Sequence, residues 1–137
     1  MSVLVLIGRI VFSVLFLYSA VGHLTQTKNM SQYAASRGVP VAYAATLLGG
    51  IPLLLGGLSV LLGIWADLGA LLLAIFLFPT AVLMHGFWKE KDPMARMTEQ
   101  VAFLKDSALG GASLALLGLF VIAGDELGLT ITGPLFG

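Results

Sequence analysis

Four stretches of this chain, about Val3 to Leu24, Val41 to Leu62, Leu68 to Trp88 and Val101 to Ala123, are apolar over the roughly 20 residues a helix needs to cross a hydrocarbon core of about 30 Å. In hydrocarbon every backbone N–H and C=O must be paired within the protein, and a helix does this inside one segment. The prediction is therefore an all-α transmembrane four-helix bundle with short connections, a single domain over residues 1–137. Composition agrees, since 58% of the residues are apolar and 10% charged, against about a quarter charged in soluble domains. The first run reads as a retained helix rather than a cleaved signal, because Met1 and Ser2 lead straight into Val3 without a basic region and Arg9 interrupts the run.

Seven Lys and Arg residues balance seven Asp and Glu residues, which gives no ground for long-range attraction of nucleic acid or an anionic substrate. Cysteine is absent, so disulfides, thiolate metal sites and thiol redox chemistry are excluded and any redox role must use a cofactor or a partner.

Between the first two spans, Asn29 with Gln32 three residues on has the form of a capping box, and Gly38 and Pro40 supply stop signals, so a short surface helix is expected there. Along the second span Gly49, Gly56 and Gly63 recur at heptad intervals with Gly50 and Gly57 beside them, and Gly111 and Gly118 repeat that spacing in the fourth. Small residues let helices approach closely in lipid. Pro52 inside the second span is tolerable there because neighbours satisfy the freed carbonyl. The link Gly63 to Asp67 makes spans two and three antiparallel neighbours, Lys89 to Gln100 forms a polar connection, and the tail from Gly124 is too short to fold alone.

Arg9 lies deep enough in the first span to need a route to the headgroups or an anionic partner, such as Asp67 or a ligand. Arg9, Ser13, Phe16, Ala20 and His23 advance by four, three, four and three, which is one face of a helix. At the other end of the bundle His23, His85, Glu99, Lys105 and Asp106 gather, with Glu99 read as interfacial. Lys105 and Asp106 enter only after Val101, Ala102, Phe103 and Leu104, so the helix is already in apolar surroundings, and His85 and Lys105 are expected to face each other or a shared ligand. Two histidines on different helices admit a bis-histidine haem, but nothing else marks a macrocycle pocket, and a zinc site lacks ligand spacing.

In order along the chain, Gly8-Arg9-Ile10 with Phe16, Gly22-His23-Leu24, Arg37-Gly38-Val39-Pro40, Gly56-Gly57 with Gly63, His85-Gly86-Phe87-Trp88 and Phe103-Leu104-Lys105-Asp106 resemble the DoxX family of small bacterial membrane proteins. The resemblance implies a four-helix membrane bundle whose relatives are described as subunits of thiosulfate:quinone oxidoreductase or partners of redox-defence proteins. Carried over, the first-helix arginine falls on Arg9, the third-helix histidine on His85 and the fourth-helix lysine on Lys105. Two positions depart. His23 stands where lysine is frequent, and Leu53 or its neighbour Pro52 replaces a frequent acid, so no proton-relay role carries onto the second span.

Two functions follow as expectations. One is an accessory or partner-docking subunit of a quinone-linked membrane redox complex, without catalysis of its own, able to form a homo-oligomer. The other is a small transporter or lipid- or solute-binding protein using Arg9 at one end of the bundle and His23, His85 and Lys105 at the other; the candidate ligand- or partner-binding residues are these four with Asp106. The resemblance implies the bacterial cytoplasmic membrane. Lys28, Arg37, Lys89, Lys91 and Arg96 fall in the first and third connections, so those connections should lie inside and both termini outside. In intact cells a membrane-impermeant maleimide should label Glu126→Cys and spare Asp92→Cys; the reverse pattern would invert the topology.

Overall fold

The computed structural model describes all residues, 1–137, as helices α1 (Ser2–Thr25), α2 (Thr27–Ser36), α3 (Ala42–Leu62), α4 (Ala66–Met84) and α5 (Pro93–Ala123), with a 3-10 turn at Phe87–Lys89 before α5. All of α1, α3 and α5, and α4 continued through the 3-10 turn, are long and apolar enough to cross a membrane. The chain is thus a multi-pass membrane protein. Its large apolar side chains are widely exposed, Val11, Tyr18 and Ile122 among them, as expected where lipid is the solvent outside and packing, not water, selects the inside.

Close packing runs in the order α1, α3, α4, α5, with α2 lying across α1 and α3, while α1 and α5 are not among the closely packed pairs. The core is built from Phe16 and Ala20 of α1, Leu53 and Val60 of α3, and Ala70, Leu73 and Leu77 of α4. The buried face of α1 is Arg9, Ser13, Phe16 and Ala20, the stripe that the spacing predicts, with His23 half-buried beyond it.

The connections differ from the sequence expectation for local reasons. Asn29 lies inside α2 and makes no cap; the helix starts at Thr27 without a side-chain cap, while the Thr25 hydroxyl donates back to the Val21 carbonyl within α1 and the Thr27 hydroxyl donates to the His23 carbonyl left open at the end of α1. The expected stop does form. Gly38 at φ +85° ends α2 as Gly38 N–H donates to Ala35 and Val39 N–H to Ala34, a Schellman motif. Helix α4 ends at Met84 instead of Trp88, and α5 begins at Pro93, eight residues before Val101. Asp92 accepts a hydrogen bond from Ala95 N–H at 2.9 Å and Pro93 occupies the first turn, an N-terminal signal that outweighs local polarity.

The glycines divide sharply. A Cβ on Gly56 would stand 2.8 Å from Leu73 Cγ and 3.0 Å from the Gly69 carbonyl oxygen, so α3 and α4 meet backbone to backbone there. Gly111 and Gly118 have nothing within 4 Å of that position, so their heptad spacing marks no helix seam within the chain. Gly56→Leu should therefore destabilise the protein by at least about 1–3 kcal/mol through overpacking, seen as a lower Tm in detergent, while Gly118→Ala should melt at or above the wild-type temperature. Equal Tm values for Gly56→Leu and wild type would place the seam elsewhere.

Candidate functional site

Ionisable groups within the bundle gather at its two ends, and the two ends are wired differently. At the end holding both termini, Arg9 is 1% exposed and donates from Nε to the Val60 carbonyl at 2.8 Å, from Nη2 to Leu61 at 2.8 Å and from Nη1 to Leu129 at 2.9 Å. Neither expected partner is used. Arg9 does not reach outward to headgroups, and Asp67 is occupied elsewhere, its Oδ1 and Oδ2 accepting from Leu135 N–H at 2.9 Å and Phe136 N–H at 2.6 Å.

The reason lies in the end of α3, whose last carbonyls have no partner within the helix. Ser59 O accepts from Gly63 and Ile64 N–H, Val60 O and Leu61 O accept from Arg9, and Leu62 O accepts from Ile131 N–H. The tail, expected to be unable to fold alone, is folded here against others. Ile131 and Thr132 N–H donate to Gly63 O, Thr132 Oγ1 accepts from Trp65 N–H, and Thr130 lies where a side chain on Gly63, at φ +68°, would sit.

At the opposite end the side chains bind one another. His85 is the C-cap residue of α4, just past Met84. Its Nδ1 is 2.7 Å from Glu99 Oε2 and its Nε2 is 3.5 Å from Asp106 Oδ2. Tyr33 of α2 donates its hydroxyl to Glu99 Oε1 at 2.5 Å. Burial, and then that hydrogen bond, push the Tyr33 phenol up to about 12. Arg37, just past α2, donates to the Met84 and Gly86 carbonyls on either side of His85 and pairs with Glu90. The hydrogen bond to Glu90 raises the Arg37 pKa above its ordinary value, so a permanent cation caps the C-terminus of α4.

Glu99 is therefore no headgroup ligand but the acceptor that fixes His85. Of the two arrangements expected of His85 and Lys105, each other or a shared ligand, the direct pair is not formed: Lys105 is exposed, and the neighbour to which the ring turns is the buried Asp106, while both residues line one cavity. Since Lys105 and Asp106 are successive on α5, about 100° apart, only one can point at His85. His23 holds its Nδ1 2.8 Å from the Thr46 carbonyl, which makes that nitrogen the donor.

His23, Tyr33, Thr46, His85, Lys105 and Asp106 line one cavity of about 570 Å³, whose remaining walls include Phe16, Leu53 and Leu77. That volume is within the usual range for sites of small organic ligands, roughly 300–1,000 Å³. The cavity has a polar end and apolar walls, which suits an amphipathic molecule. A haem does not fit these residues as axial donors, because both ring nitrogens of His85 already face carboxylates. Four of the five candidate residues thus share one cavity, and Arg9 belongs to the other end. Tyr33 and Arg37 escape a reading by hydropathy because they lie on or beside the short helix α2, whose packing is set by tertiary contact, and Thr46 escapes it because it is one polar residue within the apolar α3. The Gly38 and Pro40 stop signals were the hints that placed Arg37 at a turn.

The DoxX family model matches residues 4–86, from α1 through the turn after α4, so α5 with Lys105 and Asp106 lies beyond the matched stretch. No curated protein and no solved structure matches the chain.

If Arg9 is the cap of α3, its removal strands buried carbonyls, each at about 1–3 kcal/mol. Arg9→Met should lower Tm markedly, and a chain ending at Gly128 should be destabilised too, having lost the partners of Arg9 and Asp67. A wild-type Tm for Arg9→Met would show that the guanidinium is not structural.

Proposed function

The chain belongs to the DoxX family, and from that premise we propose that it is an accessory membrane subunit which holds a quinone-type lipophile for a redox complex in the bacterial cytoplasmic membrane. The observation that carries this reading is the cavity of about 570 Å³ with His23, His85 and Asp106 at its polar end. A ring head would lie among these side chains, and an apolar chain would follow the wall at Leu15 and Leu109, residues of α1 and α5, the two spans that do not pack closely against each other. No nucleophile, metal cluster or electron carrier is needed from this chain. Its part is to bind and orient the ligand, and a membrane or peripheral redox protein supplies the electrons.

The opposite end favours holding a solute over passing one across the membrane. Arg9 and the tail close that end by hydrogen bonds to backbone, so a transporter reading would require these contacts to break in each cycle. The proposed orientation, termini outside and α2 inside, puts the polar end of the cavity on the cytoplasmic side, where the exposed Lys89, Lys91 and Arg96 would offer a docking surface to the partner.

Decylubiquinone titrated into the protein in lipid nanodiscs, followed by tryptophan quenching, should saturate. His85→Ala should weaken binding at least about tenfold, a loss of about 1.4 kcal/mol, with little change in Tm, whereas Lys105→Met at the cavity's edge should affect it less. Non-saturating quenching, equal in wild type and His85→Ala, would mean simple partitioning into lipid and would sink the proposal.

A further inference from the structure

The hydrogen bonds around His85 locate a proton on the cavity wall. Tyr33, pushed up to about 12, keeps its phenolic proton at neutral pH and is a fixed donor to Glu99 Oε1. Glu99 Oε2 lies 2.7 Å from His85 Nδ1. A carboxylate offers only acceptors, so Nδ1 carries a proton. In a neutral ring Nε2 would then be a bare acceptor. It faces Asp106 Oδ2 at 3.5 Å, and this ring is the only ion-pair partner that Asp106 has. If Asp106 were also ionised, two sets of lone pairs would confront each other in a poorly solvated place, an arrangement that costs free energy and that one proton removes.

We infer that ligand binding adds one proton to the facing pair His85 Nε2 and Asp106 Oδ2 and that this proton selects the ligand: the cavity takes a lipophile headed by a carbonyl oxygen, and takes it together with that proton. The inference rests on the ligand-holding reading and adds the chemistry of the head. The pair donates a hydrogen bond to the carbonyl oxygen. No covalent bond is made and no electron moves on this chain.

The other titratable or charged groups around the ring are identifiable. His23 comes from α1 and Tyr33 from α2, and Lys105 joins Asp106 from α5. Arg37 and its partner Glu90 flank the turn, and Glu99 holds Nδ1. From α3 the cavity receives the uncharged Thr46. Arg37 stays charged and Tyr33 stays neutral across the working range, and His23 has its Nδ1 committed to the Thr46 carbonyl. His85 and Asp106 are the pair that takes up the proton donated to the ligand.

The test is the pH dependence of decylubiquinone affinity for the full chain in nanodiscs. Wild-type affinity should rise as pH falls, by up to about tenfold per pH unit for one linked proton, and then level off. Asp106→Asn carries an amide donor that does not titrate, so it should bind with the low-pH affinity of wild type at every pH. His23→Asn should keep the wild-type slope. A flat wild-type profile, or an unchanged slope in Asp106→Asn, would overturn the inference and leave the ligand-holding reading intact. Absence of binding at any pH would remove that reading and the carbonyl ligand together. The proton is then judged by nitrogen NMR of ring-labelled histidine, with the His85 signals assigned by their loss in His85→Gln: a protonated or hydrogen-bonded Nε2 sustains its placement, and a bare Nε2 refutes it.

Discussion

The last turn of α3 presents carbonyls that nothing in its own helix can satisfy, and the rest of the molecule is arranged around their partners. Arg9 crosses from α1 to take Val60 and Leu61, and Ile131 returns from the tail to take Leu62. An arginine near mid-bilayer costs about 2.5–3.5 kcal/mol on insertion scales. Each hydrogen bond from a charged group contributes about 1.5–3 kcal/mol, so three of them offset that cost. This explains why a charged residue can sit at 1% exposure without an acid beside it. It also explains the tail, which has no apolar span of its own yet is tied to Arg9, Gly63 and Asp67.

Because that end is consumed by backbone pairing, polar chemistry is left to the other end. There α2 supplies Tyr33, the end of α4 supplies His85, and α5 supplies Glu99 and Asp106. These groups bind one another around a cavity instead of capping a helix. The cavity exists because α1 and α5 stand apart while α3 and α4 are drawn together at Gly56, where Leu73 and the Gly69 carbonyl leave no space for a side chain.

Much of this was legible before any coordinates. Hydropathy marks the four spans because lipid selects continuous apolar surface, and the spacing of Arg9, Ser13, Phe16 and Ala20 marks an inward face because one helix turn repeats every 3.6 residues. Periodicity cannot say which carbonyls lack partners, so the role of Arg9 and the folding of the tail were out of reach. Polarity between Lys89 and Gln100 hid the start of α5, although Asp92 and Pro93 carried the helix signal. Glu99 looked interfacial because its depth was judged from α5 alone, whereas its partners Tyr33 and His85 come from two other elements. The family match ends at residue 86, so the assignment of Asp106 to the site stands on its distance to His85 and its place on the cavity wall.

The central claim is that one end of the bundle is structural and the other holds a ligand. It is tested most directly by extracting and identifying what stays with the protein through purification in mild detergent, for wild type and for Ser19→Phe, which places a ring in the cavity. The account predicts one carbonyl-headed lipophile per wild-type chain, lost from Ser19→Phe while the Tm of the protein is kept. Recovery of the same bulk phospholipids in the same amounts from both proteins would contradict it.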